Sequence, residues 1–207
     1  DHRDLHSFPT RRSSDLLKQA LGGFRLEAPS FRLRTGSTGT ELVLGQAARV
    51  TPLNGGLITL AAHPEKPLYT ARPGRTGGGA LVLTGQATDT DVRVSVPDWR
   101  LTPGGFTATL DGAAAFNFGF ARAVTVDAAG ALTSGGGRLT FRSGDCVAIT
   151  AAQLAFGEND ARTLSGALCP TDAPLVAVGG GGWTATGRIQ GAEAEAPFLA
   201  LQFSDIA

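Results

Sequence analysis

The chain has 207 residues, 18 basic and 18 acidic side chains, 42% hydrophobic residues, 29 glycines and no methionine. Zero net charge with scattered arginines argues against a nucleic-acid surface, which gathers basic residues on one face. No apolar run approaches the roughly 18 residues that a bilayer-spanning helix needs.

Residues 1–16, DHRDLHSFPTRRSSDL, read as the frame translation of a common short-read sequencing adapter, matched without a gap. Such a segment is set aside from fold reasoning. Its removal takes His2 and His6, leaves His63 as the only histidine, and cancels three arginines against three aspartates. The remaining 191 residues (207 − 16) hold no initiator methionine, so they are expected to be an internal piece of a longer protein. The 16 arginines against 2 lysines, with abundant Ala and Gly, suggest a GC-rich bacterial genome.

Residues 17–23 are expected to be a short helix tail or linker that ends at Gly22-Gly23. From Phe24 onward the text is strand and turn. Phe24 and Leu26 alternate with Arg25, and Phe31 and Leu33 with Arg32 and Arg34, with Pro29 as a strand break. Residues 40–45 (TELVLG) and 56–61 (GLITLA) follow as strands. Residues 63–75 carry three prolines and read as a loop or edge segment around Leu68-Tyr69.

A strand at residues 80–84 leads into the clearest pattern, residues 91–127. Leu81 and Leu83 flank Val82, and Val92, Val94 and Val96 alternate with Asp91, Arg93 and Ser95. After the Pro103-Gly104-Gly105 turn, Phe106, Ala108 and Leu110 alternate with threonines. Then Phe116, Phe118 and Phe120 alternate with Asn117 and Gly119, and Val124 and Val126 flank Thr125. A period of two puts each apolar set on one face of a pleated strand. Successive strands with short Gly/Pro/Asp punctuation make an antiparallel meander with one greasy face, and no helical segment nearby could cover it.

Beyond it, Leu139 and Phe141 alternate with Arg138 and Arg142. Short strands follow at residues 146–150, 153–156, 164–169, 174–178, 183–189 and 197–203. About fifteen short strands at this spacing define an all-β chain without a fixed-length repeat, hence an extended sheet, a sandwich or an irregular solenoid.

Candidate chemistry is sparse. Cys146 and Cys169 could close a loop of about 24 residues, a disulfide worth about 3 kcal/mol, or could be two buried reduced cysteines. Zinc needs about four ligands, and no Cys-x-x-Cys or histidine cluster supplies them. The glycine runs at 77–79, 135–137 and 179–182 are not followed by Lys-Ser or Lys-Thr and open no helix, so they read as turns or strand breaks. His63 with Glu65 has no serine motif beside it and reads as a solvated loop. Asp89 and Asp91 lack the Asp-x-Asp-x-Asp-Gly calcium pattern and read as a polar turn. No enzyme and no cofactor is expected. The phenylalanine alternation at 116, 118 and 120 leaves two readings, an ordinary sandwich core or a lining for lipid tails.

From Phe24 to the end the text resembles the AsmA-like inter-membrane phospholipid transporters, in particular the YdbH family. The resemblance is carried by GGALVLTGQA, GGGRLTFRSGDC and CVAITAAQLAFGENDARTLSGALCPTDAPLVAV. It implies that residues 24–207 are a single segment of a long taco-shaped β-groove, an extended, twisted antiparallel sheet with an apolar concave face. The full protein would be anchored in the inner membrane and cross the periplasm. Its partners would be phospholipid and, through parts outside this chain, the inner and outer membranes, with no nucleic acid. On that reading the alternating apolar residues of this chain would line the groove: Leu81, Leu83, Val92, Val94, Val96, Phe106, Leu110, Phe116, Phe118, Phe120, Val124, Val126, Leu139, Phe141, Leu199, Leu201 and Phe203. The alternative is a structural β-solenoid or adhesin-like module with a closed side-chain core.

Overall fold

A computed structural model describes residues 24–52, 56–156, 159–196 and 201–206. The segments read above as an adapter (1–16) and as a helix tail or linker (17–23) lie outside them. Every described element is a strand of one antiparallel sheet, which is open and not closed into a barrel; no helix occurs among the described residues.

Seventeen strands are described, more than the period-two pattern suggests, because several long strands are interrupted midway. They are β1 (Phe24–Glu27), β2 (Phe31–Gly36), β3 (Gly39–Leu44), β4 (Ala48–Pro52), β5 (Leu57–Ala62) and β6 (Tyr69–Ala71). Four long strands follow: β7 (Gly78–Ala87), β8 (Thr90–Thr102), β9 (Gly105–Phe118) and β10 (Ala121–Gly135). Then come β11 (Arg138–Arg142), β12 (Val147–Phe156), β13 (Asn159–Cys169), β14 (Val176–Gly179), β15 (Gly182–Ala185), β16 (Arg188–Ala196) and β17 (Leu201–Ile206).

The pairing joins the short strands into longer traverses. β10 pairs with β11 over its C-terminal part and with β12 over its N-terminal part, so β11 and β12 are one strand broken at residues 143–146. By the same test β13 continues into β14 and β15 into β16. On the other side β5 continues into β6, both against β7. β3 continues into β4 and β1 into β2. The result is a simple up-and-down meander whose outermost traverses are β1–β2 and β17.

The interruptions line up across the sheet. Residues 28–30, 45–47 and 63–68 meet the register shift between Gly79 and Leu81, then the shift between Ser95 and Asp98 around Pro97. Next come Leu110 opposite Gly130, the break at 143–146, that at 170–175, and that at 186–187. A bulge bends its strand and sharpens local twist, so the aligned bulges and breaks form a crease across the sheet, which β9 and β10 cross unbroken at Leu110 and Gly130.

The crease is where the chain is buried. Leu44, Ala48, Ala80, Val96, Val147, Cys169, Leu175 and Ala177 are all buried and all lie in or beside it; Ala80 is fully covered and Leu175 is 2% exposed. It is also where backbone and side chains stitch neighbouring traverses together. Ala80 N donates to Pro67 O at 3.1 Å and Thr186 N to Leu175 O at 3.0 Å. Lys66 Nζ donates to Pro97 O at 2.9 Å, Ser143 Oγ to Ala129 O at 2.8 Å, and Arg142 Nη1 to Asp172 O at 2.8 Å. Breaking a strand frees backbone groups that must find partners, and these bonds supply some of them.

Elsewhere the buried set is thin. Half of the twelve buried apolar residues are alanine, and Leu175 is the only large side chain under 2% or at that limit. A second layer packed on the sheet would bury its Val, Leu and Phe side chains outright. Instead most stay half-exposed.

Two glycine positions explain themselves. Gly136 and Gly137 turn β10 into β11 with positive φ (58° and 73°), a conformation costly for side chains with a Cβ. Gly130 sits at the crease, where a Cβ would fall inside van der Waals contact of the Arg142 carbonyl. Gly130→Val is therefore expected to destabilise the chain by about 1–3 kcal/mol through overpacking, seen as a lower urea midpoint.

Candidate functional site

Alternation along β9 and β10 sorts the sheet into two faces. On β10, Val124, Val126, Ala128, Gly130, Leu132 and Ser134 are buried or half-buried, while Thr125, Asp127, Ala129, Ala131 and Thr133 between them are exposed. β9 matches it residue for residue, with Phe106, Ala108, Leu110, Gly112, Ala114 and Phe116 on the first face. We call this the oily face.

Register carries the oily face across the sheet in unbroken lanes. One lane runs Leu26, Val50, Ile58, Gly85, Val92, Ala114, Val126, Ile149, Gly166, each residue paired with the next. A second runs Ala48, Leu60, Leu83, Val94, Gly112, Ala128, and continues through Val147, Leu168 and Ile189. Val147 takes its place one step along from the Asp127–Ala148 pair. With strands about 4.8 Å apart, eight steps make each lane about 38 Å long. Neither lane contains a side chain able to hydrogen-bond.

Beside them Phe116 faces Val124, and buried Ala121, Val124 and Ala151 gather Phe116, Val126, Ile149, Leu154 and Leu164 into the largest apolar cluster described. Past the crease the same face carries Leu42, Tyr69, Trp99, Ala108, Leu132, Phe141 and Val176, and a parallel row of Leu101, Phe106, Ser134, Leu139, Val178 and Trp183. Tyr69 and Trp99 stack with ring centroids 5.8 Å apart.

The other face is polar. Asp91, Ala115, Thr125, Thr150, Ser165 and Glu193 form one row, with the Thr125 and Thr150 hydroxyls 2.6 Å apart. A shallow depression of about 320 Å³ on this face is floored by Ala113, Ala115 and Ala148 and rimmed by Asp91, Arg93 and Asp127.

The structure brings together Leu83, Val92, Val94, Phe116, Val124 and Val126 on the lanes or beside them, and puts Leu81 opposite Val96 at the crease. Val96 is only 5% exposed, so it packs into the crease more than it lines a surface. Phe106, Leu110, Leu139 and Phe141 lie on the same face, toward or past the crease. Phe120 is a correction. β9 ends at Phe118, and Phe120 sits in the turn before β10, 49% exposed, where its carbonyl accepts from Ala155 N at 2.8 Å. Gly119, with φ 56°, breaks the alternation that the sequence suggests. Phe118 pairs through its backbone with Ala121, and Leu201 and Phe203 with Ala196 and Ala194. Leu199 lies outside the described residues.

Sequence reasoning missed Ile58, Leu60, Ile149, Leu168 and Ile189. Ile149 and Leu168 stand among small residues, Ile189 lies between Arg188 and Gln190, and Ile58 and Leu60 sit in LITL with an apolar neighbour of the other parity, so only cross-strand register reveals them as parts of a row. Cys146 and Cys169 are joined by a disulfide, S–S 2.05 Å and Cα–Cα 4.0 Å, across the two traverses at the crease. Their side chains belong to the polar face, opposite in parity to Val147 and Leu168.

The described residues include no cluster of three or more His, Cys, Asp or Glu able to hold a metal ion. His63 Nδ1 accepts from Glu65 N at 3.3 Å within the 63–68 loop. Asp89 lies in the turn between β7 and β8, and Asp91 on the polar face. No helix of the described residues is long and apolar enough to cross a membrane. Comparison with known proteins returns no matching family model, no matching curated protein and no matching solved structure.

Proposed function

We propose that this chain is a segment of a lipid conduit, which shields phospholipid acyl chains from water as they pass between the inner and outer membranes across the periplasm. The observation that carries this reading is the pair of aliphatic lanes, continuous over nine traverses on a face that no second layer among the described residues covers. A soluble protein seldom leaves a long apolar strip uncovered unless something is to lie on it. Acyl chains suit the strip because they need apolar area and no hydrogen bonds, at about 0.8 kcal/mol per CH₂ withdrawn from water. The resemblance to the YdbH family points the same way. No covalent step is needed. The competing reading, a structural module with a filled core, requires large buried side chains that the described residues supply only sparsely.

Native mass spectrometry of the full chain, purified from a lipid-containing host, tests the reading. Phospholipid adducts are expected, with uptake of added phosphatidylethanolamine after delipidation. A chain that carries no lipid and takes up none would overturn it.

A further inference from the structure

The two halves of the oily face, on either side of the crease, differ in chemistry. The half that holds the lanes carries aliphatic side chains and Phe116, with no tyrosine or tryptophan among its described residues. The other half carries the only tyrosine and both tryptophans of the chain. Tyr69, Trp99 and Trp183 occupy it together with the hydroxyls of Thr35, Thr40 and Ser134. Trp99 Nε1 donates to Leu68 O at 3.2 Å, so its ring is held with the polar edge engaged and its body against Tyr69.

Charge follows the same division. The hairpins that end the aromatic half carry exposed Arg34, Arg72, Arg75 and Arg138, with Glu41 as their acidic neighbour. No ion pair among the described residues engages Arg72, Arg75 or Arg138. The opposite margin mixes signs, with Asp89, Asp91 and Asp160 beside Arg122 and Arg162.

We propose that a phospholipid on this sheet lies along the strands, with its phosphate headgroup at the aromatic, arginine-bearing margin and its acyl chains pointing over the crease onto the lanes. The proposal rests on the lipid-conduit reading and adds an orientation to it. Tryptophan and tyrosine favour the boundary between hydrocarbon and headgroup, where one end of the ring is dry and the other wet. Arginine binds phosphate through a planar fork of N–H donors. The dimensions agree. From Ser134 to Ala128, on the nearer lane, is six residues of strand, about 20 Å, and one leaflet with its headgroups is about 20–22 Å thick, half of the roughly 40–45 Å bilayer. One molecule, headgroup included, therefore spans from the margin to the nearer lane.

Because both tryptophans sit in one half, their fluorescence reports on that half alone. The full chain is loaded with phosphatidylcholine bearing a nitroxide either on the headgroup or near the acyl terminus, then separated from free lipid. The headgroup label is expected to give the larger loss of fluorescence. Arg72→Glu with Arg75→Glu and Arg138→Glu is expected to reduce that loss while leaving the far-ultraviolet circular dichroism unchanged. Stronger quenching by the acyl label overturns the orientation and leaves the conduit reading standing. So does quenching by neither label in a chain that still retains phospholipid. A chain that retains no lipid overturns both.

Discussion

Val126→Asp is expected to lower phospholipid retention at least about tenfold. Val126 lies midway along a lane, paired on one side with Ala114 and on the other with Ile149, so a carboxylate there interrupts the strip where no detour exists on that row. The charge keeps its water, and an acyl chain crossing it leaves about two CH₂ groups unshielded, roughly 1.6 kcal/mol. Since 1.4 kcal/mol is a factor of ten, the loss follows directly. The control lies on the same strand: Ala131→Asp points to the polar face, opposite Arg142 and Thr109, and is expected to leave retention unchanged. Equal loss in both variants would show a folding defect; retention in both would remove the lanes from the binding surface.

Removing the disulfide, as Cys146→Ala with Cys169→Ala, is expected to lower the free energy of unfolding by about 3 kcal/mol on the chain-entropy account. The bond spans a sequence separation of 23 and ties two adjacent traverses at the point where both are broken. With residues 143–146 and 170–175 interrupting the ladder there, few backbone hydrogen bonds hold the traverses together locally. Cys169 is 4% exposed, so alanine avoids burying a new hydroxyl. Urea unfolding measures the effect, under oxidising conditions for the parent chain. A midpoint shift worth less than about 1 kcal/mol would mean that the crease is held by its hydrogen bonds instead.

The sequence made the strand character legible because alternation over five or more residues is a local signal, and β8, β9 and β10 carry it plainly. It located the polar and oily faces of those strands for the same reason. The crease was not legible. Its pieces read separately as a proline break near Pro29, a loop or edge segment at 63–75 and the gap between strands at 164–169 and 174–178, and only long-range pairing aligns them with Pro97 and Gly130. The lanes were half legible. Val92, Val94 and Val126 announce themselves, whereas Gly85, Gly112 and Gly166 complete the same rows with no side chain. Phe120 misled because the period of two was extended through Gly119, whose positive φ ends the strand. Whether Cys146 and Cys169 are bonded was an open question in the sequence, since spacing along the chain does not fix which traverses stand side by side.

The small residues within the lanes have a mechanical consequence. Gly85, Ala114 and Gly166 alternate with Val50, Ile58, Val92, Val126 and Ile149, so the strip is low in relief and has no bulky side chain to climb past. A flexible hydrocarbon shifted sideways by one strand spacing trades one set of methyl contacts for a nearly equal set. Its energy then varies little along the route, and sliding meets low friction.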